Sequence, residues 1–271
     1  MFNFIYSNID FAHKIDDAYS RKDDYDRHMH YFNEIVYFVS GNVEYTVEAE
    51  THRLKEGDIL LIQPGKYHHA KILDNEAPYE RYVLKFPDEI LPDYLREKKA
   101  TQDTFFFDKK KFALNLQLLD SYYGNYSDED TKTLFVGETI KLIIMLCKES
   151  SERQIKKNDF ITNIINYIDE NIRQTITLDT LNKEFNFSKS YISNEFKRHI
   201  HIPIMQYVRA KKIIAAHPFI LGKEKKSVVA EMFGFENYST FYRSYIKVMG
   251  FPPNSKSESE EEKTKEQEPK S

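Results

Sequence analysis

The sequence predicts a two-domain α+β protein, in which a small N-terminal β-barrel with helices at its C-terminal end precedes an all-α domain. Short runs rich in Val, Ile, Tyr and Phe recur between turn signals over residues 31–86, as in a barrel of short strands. Beyond residue 108 the apolar residues recur with a helical period. Charge also divides between the two halves of the chain, which favours two domains with different partners.

The charge division is large. The formal net charge of −4 comprises +6 for residues 155–254 (15 Lys and Arg, 9 Asp and Glu), −2 for residues 255–271 (4 and 6) and −8 for residues 1–154. A basic C-terminal part is typical of nucleic-acid binding, and an acidic N-terminal part is typical of a separate sensor.

The composition also bears on location. The first residues, MFNFIYSNIDFAHK, lack the basic-then-apolar order of a signal peptide, and no apolar run approaches the length of about 18 residues that spans a membrane. We therefore expect a cytoplasmic protein with no membrane partner. The single cysteine, Cys147, lies in the apolar run IIMLC and is expected to be a buried structural thiol.

Turn signals in the sequence mark where the predicted strands begin and end. The runs EIVYFVSG, NVEYTVEA and GDILLIQPG are separated by the turn signals Gly41-Asn42, Glu56-Gly57 and Pro64-Gly65. A further strand, YERYVLKF at 79–86, ends at Pro87. These runs predict a barrel domain over residues 1–107.

Two helices are predicted over residues 108–149. The first has one apolar face, and the second covers TKTLFVGETIKLIIMLCKES. Either the apolar faces pack on the barrel or they pair with a second subunit, and we expect a homodimer. The apolar residues of the two faces are Phe112, Leu116, Leu119 and Tyr123 in the first helix and Leu134, Ile140, Ile143, Ile144 and Cys147 in the second.

Two polar segments flank the all-α domain. Residues 150–159, SSERQIKKND, are predicted to be a linker. Residues 255–271 contain no apolar side chain, so a solvated disordered tail is favoured over an acidic interaction tail. The all-α domain is therefore assigned to residues 160–254.

Residues 177–200, TLDTLNKEFNFSKSYISNEFKRHI, have the pattern of a helix-turn-helix. Asn186 stands at the turn, where the backbone must be left-handed, a conformation that Asn tolerates. Phe187 is predicted to fill the corner, and Ser188 is predicted to cap the second helix. The side chains predicted to face inward are Leu178, Leu181, Phe185, Ile192 and Phe196.

The pattern recurs about 48 residues later, in SVVAEMFGFENYSTFYRSYIKVMG at 227–250. Gly234 stands at the turn and Phe235 at the corner. A helix between the units, PIMQYVRAKKIIAAH, would be a rigid spacer, so the recognition helices 189–199 and 238–248 can enter major-groove segments about 34 Å apart. The inward side chains are Val229, Ala230, Phe233, Phe241 and Tyr245.

Residues 160–254 resemble the DNA-binding domain of the AraC family of bacterial transcription activators. The resemblance is carried by LDTLNKEFNFSKSYISNEFK, QYVRAKKIIAA and VAEMFGFENYSTFYRSYIKVMGFPP, and within the last by Gly234, Phe235, Ser239, Phe241, Arg243, Gly250 and Pro253. It implies a sequence-specific regulator, expected to be an activator that binds promoter double-stranded DNA, helps to recruit RNA polymerase and is not an enzyme.

The chain departs from the family pattern at several positions. His201 stands where the family usually has Gly, and Lys212 stands where Arg usually marks the linker helix. Pro218 is predicted to end or kink that helix near His217. The usual Tyr-Arg after Pro253 is replaced by SKSESEEE.

The polar residues on the outer faces of the two recognition helices are the expected DNA contacts. Asn194 is suited to pair with adenine and Arg243 with guanine, although either could equally hold a phosphate. Lys197, Arg198 and Lys247 are expected to contact phosphates, which position the protein without reading sequence. The full set is Lys189, Ser190, Ser193, Asn194, Lys197, Arg198, Asn237, Ser239, Thr240, Arg243 and Lys247.

The N-terminal domain carries a second motif. Residues 26–41 contain His28-x-His30-x3-Glu34-x6-Gly41, followed later by Gly57, Pro64-Gly65 and His68-His69. This resembles the two signature motifs of cupins, barrels that are the usual sensor half of AraC-type regulators. The resemblance implies that His28, His30, Glu34 and His68 match the positions that hold one divalent ion in metal-binding cupins, although an extra residue precedes Pro64.

Three interpretations of these side chains stay open. They bind a polar effector such as a sugar without a cofactor, they hold Fe, Mn, Ni or Zn, or they are structural polar groups of the barrel. We expect an effector site without a metal, lined also by Tyr37 and Arg81. A metal-dependent cupin enzyme or a metal sensor is the alternative, but it leaves residues 160–254 without a role. A ligand-gated regulator accounts for both halves.

Overall fold

The computed structural model describes residues 2–6, 9–16, 27–73, 76–102, 104–122, 124–149, 159–222 and 224–253. The chain divides into two compact units, Met1–Lys156 and Lys157–Ser271. Tyr123, the predicted linker except its last residue, and the predicted tail lie outside the described residues. No described helix is long and apolar enough to cross a membrane.

The N-terminal unit contains two antiparallel sheets that form a barrel. The larger sheet has, in spatial order, the strands β1 (Phe2–Tyr6), β2 (Ile9–Asp16), β8 (Tyr79–Phe86), β3 (Asn33–Ser40), β6 (Ile59–Ile62) and β9 (Phe105–Phe106). The smaller sheet has the order β5 (Glu50–Arg53), β4 (Val43–Val47) and β7 (His68–Ile72).

The two faces of the larger sheet have different neighbours. Its outer face, with Phe11, Ile35 and Leu84, packs against the helices α1 (Asp93–Ala100), α2 (Ala113–Tyr122) and α3 (Asp128–Leu146). Its inner face, with Val36 and Leu60, packs with residues of the smaller sheet. Because side chains alternate along a strand, odd positions of β3 face the helices and even positions face the barrel interior.

The strands predicted around residues 34–41, 42–49, 57–65 and 79–86 are confirmed as β3, β4, β6 and β8. The sequence reasoning did not identify β1, β2, β5, β7, β9 or α1. Helix α3 begins three residues before the predicted start. The reason is local: Ser127 caps it by accepting a hydrogen bond from the Asp130 amide, and acidic residues fill its first turn.

The predicted apolar faces of α2 and α3 pack against the barrel. Phe112, Leu116, Leu119 and Ile143 are at most 1% exposed and lie in the outer core of the larger sheet. Cys147 is buried in the same core, as predicted. Packing on the barrel therefore accounts for these faces.

The C-terminal unit is all-α. Its described helices are α4 (Asp159–Glu170), α5 (Leu178–Phe185), α6 (Lys189–Ile200), α7 (Ile204–Leu221), α8 (Lys226–Met232) and α9 (Tyr238–Met249). Helices α5 and α6 form the first predicted helix-turn-helix, and α8 and α9 form the second. The predicted inward side chains Ile192, Phe196, Val229, Phe241 and Tyr245 are almost fully buried.

The two turns behave largely as predicted. Asn186 (φ 57°) and Gly234 (φ 68°) adopt the left-handed conformation, and Ser188 caps α6 by accepting from the Tyr191 amide. The prediction that Phe187 fills the corner is wrong, because its side chain is 43% exposed. It stacks instead on Tyr191, with ring centres 5.0 Å apart.

The expectation that Pro218 ends the connecting helix near His217 is wrong, whereas the alternative of a kink there stays a prediction. Helix α7 continues through Pro218 to Leu221. Proline removes one backbone donor, but the last turn is held by Ile220, which is 5% exposed and packs in the core of the C-terminal unit.

Candidate functional site

The inner face of the larger sheet carries charged residues in two rows. The pairing of β2, β8 and β3 aligns Asp10 with Lys85 and Glu34, and aligns Lys14 with Arg81. The row between them is small or apolar, since Ala12 pairs with Val83. The charged rows are four residues apart, and therefore about 13–14 Å apart along the strands. We call Asp10, Lys14, Glu34, Arg81 and Lys85 the inner charged face.

One cation of the inner charged face already has a partner. An Arg81 guanidinium nitrogen (Nη1) lies 2.5 Å from Asp16 Oδ2, and the guanidinium lies 4.0 Å from the centre of the Tyr79 ring. Arg81 is 8% exposed. Its charge is thus neutralised within the barrel.

Lys14 and Lys85 differ from Arg81 because neither forms an ion pair with another described residue. Both side chains are half-buried. Burial, and then the neighbouring charges of Lys85 and Arg81, lower the pKa of Lys14. Burial raises the pKa of Asp10, whose Oδ1 is buried without a hydrogen-bond partner among the described residues. The barrel therefore contains polar groups that its own side chains do not satisfy.

A second group lies on the same inner side. We call His28, His30, Glu34 and His68 the histidine–glutamate cluster. Glu34 Oε2 lies 2.9 Å from His30 Nε2 and 3.3 Å from His68 Nε2. His28 pairs with His68 through two backbone hydrogen bonds of 3.1 and 2.9 Å. The resemblance to cupins had implied this grouping.

The cluster is largely buried: His68 is 0%, Glu34 6% and His30 9% exposed. Burial lowers the pKa of His30. Burial alone would raise the pKa of Glu34, but the contacts with His30 and His68 hold it well below its usual range. Burial and the nearby charge of Glu34 raise the pKa of Tyr45 well above its usual value, so Tyr45 keeps its hydroxyl proton in the barrel.

The expected role of Tyr37 in this pocket is contradicted by its position. Tyr37 is an odd residue of β3 and belongs to the outer core beneath the helices, where its ring centre is 6.4 Å from that of Tyr82. Both faces of β3 are buried. Its sequence therefore lacks the apolar–polar alternation that would have shown which face lines the barrel interior. Arg81 does lie on the inner face, as expected for a pocket residue.

Sequence reasoning missed the contribution of β2 to the pocket. A signal was present: in IDFAHKID the polar or small residues Asp10, Ala12, Lys14 and Asp16 alternate with Phe11, His13 and Ile15. Alternation places the first set together on one face. The omission arose because a strand with charged residues on its inner face inverts the usual pattern.

The first recognition helix, α6, presents most of its predicted DNA-contacting side chains to solvent. Ser193 is half-buried, and the exposed residues are Lys189, Ser190, Asn194, Lys197 and Arg198. Two of its cations are paired within the protein: Lys189 with Asp179, and Arg198 with Glu195 at 2.6 Å. Asn194 and Lys197 have no such ion pair or hydrogen bond among the described residues.

The second recognition helix, α9, also presents most of its predicted DNA-contacting side chains to solvent. Asn237, Ser239, Arg243 and Lys247 are exposed, and Thr240 is half-buried. Asn237 caps the helix, since its Oδ1 accepts a hydrogen bond of 2.9 Å from the Thr240 amide. Its side-chain carbonyl is thus already used at the helix start, and the exposed Arg243 and Lys247 are the cations of this surface.

Lys212 joins the two helix-turn-helix units. Its Nζ donates to the carbonyl of Gln174, before α5, at 2.5 Å and to the carbonyl of Phe233, at the end of α8, at 2.7 Å. Burial lowers the pKa of Lys212 to about 8. Lys212, which stands where the family usually has Arg, therefore still places a cationic side chain between the two helix-turn-helix units. His201, the other departure, adopts the left-handed conformation (φ 67°) that Gly would take more easily.

Comparison with known proteins supports the assignment of both units. Residues 15–134 match the AraC-like ligand binding domain, and residues 181–258 match a helix-turn-helix domain. The chain is 22% identical over 240 residues to the HTH-type transcriptional activator RhaR of Mannheimia succiniciproducens, covering 83% of this chain and 84% of that protein. It is 22% identical over 254 residues to the HTH-type transcriptional regulator YdiP of Escherichia coli K12, covering 82% and 77%.

Among solved structures, ToxT from Vibrio cholerae O395 is similar, with 13% identity and a TM-score of 0.39 over 91% of this chain and 95% of that chain. A ligand-binding barrel joined to two helix-turn-helix units defines a ligand-gated transcription regulator. The chain belongs to the AraC family of such regulators. The two relatives named above, RhaR and YdiP, are both named as transcriptional regulators or activators.

Proposed function

We propose that the barrel binds a small polar effector that carries a carboxylate or phosphate, such as a sugar acid or a sugar phosphate. The observation that supports this is the pair of inward cations, Lys14 and Lys85, which have no ion-pair partner among the described residues. Desolvating an unpaired ammonium group is costly, and an acidic ligand would offset that cost with charge-assisted hydrogen bonds. Asp10 and Glu34 on the same face would accept hydrogen bonds from ligand hydroxyls.

The first experiment compares ligands that differ only in the acidic group. Binding of glucose, glucuronate and glucose 6-phosphate to the full chain is measured by calorimetry and thermal shift. We expect the acids to bind at least about tenfold more tightly than glucose, since one hydrogen bond to a charged group contributes about 1.5–3 kcal/mol. Equal affinity for the neutral sugar and both acids would contradict recognition of an acidic group.

Matched variants locate the contact. Lys14→Met and Lys85→Met remove the ammonium groups and retain much of the apolar stem. Lys71→Met is the control, because Lys71 lies on β7 with an exposed side chain on the outer side. We expect each inner variant to weaken binding of the acid by about 10- to 100-fold, and the control to leave it unchanged. An unchanged affinity in both inner variants would assign the acid to other residues.

The effector then gates DNA binding and activation. A ligand can shift the equilibrium between two states only through different affinities for them. We propose that the effector-bound state binds promoter DNA more tightly and recruits RNA polymerase, and that the barrel returns its ligand chemically unchanged. Fluorescence anisotropy with DNA from upstream of the coding region, with and without ligand, tests the gating. Mass spectrometry of the recovered ligand tests the absence of turnover.

We also propose a homodimer formed through α2. Packing on the barrel leaves Leu114 75% and Leu118 39% exposed, four residues apart and hence on one side of the helix. Neighbouring apolar side chains in solvent are typical of an interaction surface. Sedimentation of the full chain is expected to show a dimer that Leu114→Asp weakens, whereas Lys141→Asp on the exposed side of α3 leaves it intact.

A further inference from the structure

A cleft on the second recognition helix is lined in part by aromatic side chains that are not among the expected DNA contacts. The cleft has a volume of about 510 Å³ and is lined by Tyr238, Ser239, Tyr242 and Arg243. All four residues lie on α9, where residues four apart are neighbours on one side of the helix. One wall of the cleft is therefore the pair Tyr238 and Tyr242, and the other is the exposed pair Ser239 and Arg243.

The aromatic wall is supported by the core of the C-terminal unit. The ring of Tyr238 stacks on that of Phe241, with ring centres 6.1 Å apart, and Phe241 is fully buried in that core. The ring centres of Tyr238 and Tyr242 are 6.0 Å apart, and the ring planes are tilted by 54°. The two tyrosines are therefore not stacked face to face, and both present apolar ring surface to the cleft.

Packing within the protein satisfies the two tyrosines only in part. Both side chains are half-buried, and neither phenol oxygen forms a hydrogen bond with a described residue. Burial, and then the neighbouring Tyr242, raise the pKa of Tyr238, so its hydroxyl stays uncharged and does not repel the phosphates of DNA. Apolar surface left in solvent is typical of an interaction site, and on a recognition helix the partner is DNA.

The major groove of DNA offers one apolar group that such a surface fits. All four bases present hydrogen-bonding groups there, but thymine alone adds a methyl group, at C5. We propose that Tyr238 and Tyr242 bind the C5 methyl group of one thymine, beside the base pair or phosphate that Arg243 contacts. The inference rests on entry of α9 into the major groove. It is independent of the effector proposed for the barrel, because it involves the C-terminal unit alone.

The expected effect follows from the burial of one methyl group. Replacing thymine by uracil removes the methyl group and leaves every hydrogen-bonding group of the base pair in place. Burying a group of this size changes an equilibrium constant about fourfold. We therefore expect uracil at one position of the binding site to weaken DNA binding by about fourfold, through the contact with Tyr238 and Tyr242.

The first step of the test uses the wild-type protein. The full chain selects its preferred site from random double-stranded DNA, and each thymine of the selected duplex is then replaced by uracil in turn. Fluorescence anisotropy measures the affinity of the full chain for each duplex. A loss of affinity at one thymine identifies the position that the proposal assigns to the tyrosines.

Variants then show whether the tyrosines cause that loss. The double variant Tyr238→Ala and Tyr242→Ala should bind the thymine and uracil duplexes equally well. The double variant Tyr238→Phe and Tyr242→Phe keeps the rings, so it should still distinguish the two duplexes. Tyr94→Ala is the control and should behave as the wild type, because Tyr94 is 61% exposed and lies in the N-terminal unit.

Folding of each variant is checked by circular dichroism. If the double alanine variant is unfolded, Tyr242→Ala alone gives the comparison, because it leaves the stack of Tyr238 on Phe241 in place. This single variant should reduce the difference in affinity between the thymine and uracil duplexes.

Three outcomes would overturn the proposal. One is a wild-type chain that binds every uracil duplex as tightly as the thymine duplex, or that selects a site without a fixed thymine. Another is a loss of affinity with uracil that persists unchanged in the alanine variants, which would assign the methyl group to other residues. The third is equal binding of the two duplexes by the double phenylalanine variant, which would assign the effect to the phenol hydroxyls instead of the rings.

Discussion

Replacing Lys212 by Met tests how the two helix-turn-helix units are held together. The Nζ atom donates to the carbonyls of Gln174 and Phe233 at 2.5 and 2.7 Å, and a methionine would leave both acceptors without this donor. Each hydrogen bond from a charged donor contributes about 1.5–3 kcal/mol. The opposing cost is the burial that lowers the pKa of Lys212 from 10.5 to about 8.

That pKa difference corresponds to a desolvation cost of at most about 3.4 kcal/mol, which solvent access reduces to roughly 1–2 kcal/mol. The hydrogen bonds exceed this cost. We therefore expect Lys212→Met to lower the free energy of unfolding of the C-terminal unit by about 2–4 kcal/mol. Urea denaturation of the full chain, followed by circular dichroism, measures this loss. Lys212→Arg is the matched variant, since a guanidinium also donates to two carbonyls, and it should restore most of the stability.

The pH dependence gives a second readout for Lys212. Between pH 8 and 10.5 the unfolded state binds more protons at this residue than the folded state, because the folded-state pKa is the lower one. The stability of the wild type should therefore rise relative to that of Lys212→Met by roughly 1–2 kcal/mol across this range. A Lys212→Met protein as stable as the wild type, with the same pH dependence of stability, would refute the reasoning.

Three other perturbations follow from single contacts. Gly234→Ala should destabilise the C-terminal unit by about 1–3 kcal/mol in urea denaturation, because φ is +68° and a Cβ would lie 3.1 Å from both the Gln174 carbonyl oxygen and Lys212 Nζ; wild-type stability would show that the backbone relaxes. Arg243→Ala should weaken DNA binding by about 1–3 kcal/mol and relax the preference at one base pair, and an unchanged preference in a binding-site selection would assign it to phosphate. Burial lowers the pKa of His217 from 6.5 to about 4, so the unfolded state binds more protons between these values and stability should fall as pH drops from 6.5 to 4. His217→Gln should remove that dependence, and an identical pH profile would contradict it.

The C-terminal unit could be predicted closely because its signals are local. Only a few residue types tolerate a left-handed backbone, so Asn186 and Gly234 marked the two turns before any tertiary contact was considered. Ser188 marked the start of α6 for an equally local reason, its side-chain cap. Phe187 was misplaced because its position depends on Tyr191 and on the ring of Phe160, 4.9 Å away, and neither contact is encoded in the turn itself.

The barrel could be predicted only in part. The run 79–86 ends at Pro87, so β8 was found with its bounds. The resemblance to cupins, rather than any local signal, indicated that His28, His30, Glu34 and His68 lie together. Tyr37 was assigned to the wrong face because β3 is buried on both sides and shows no apolar-polar alternation. Helix α1 was missed because, of its two buried residues Leu95 and Lys99, one is a lysine, a residue that is normally exposed. Lys99 is 2% exposed here and pairs with Asp88 at 2.9 Å.

Strand β2 shows why the pocket itself was hidden in the sequence. Periodicity assigns charged residues to solvent, yet in β2 the residues that face the barrel interior are Asp10, Lys14 and Asp16, while Phe11 faces the helices. A barrel filled only for stability would place apolar residues at these positions, because unsatisfied polar groups in an interior are costly. Asp16 is paired with Arg81, but Asp10 and Lys14 form no ion pair with a described residue, and retaining these two inside is physically reasonable if a bound molecule satisfies them. The inversion that prevented prediction of β2 therefore supports the proposal that this barrel binds a polar ligand.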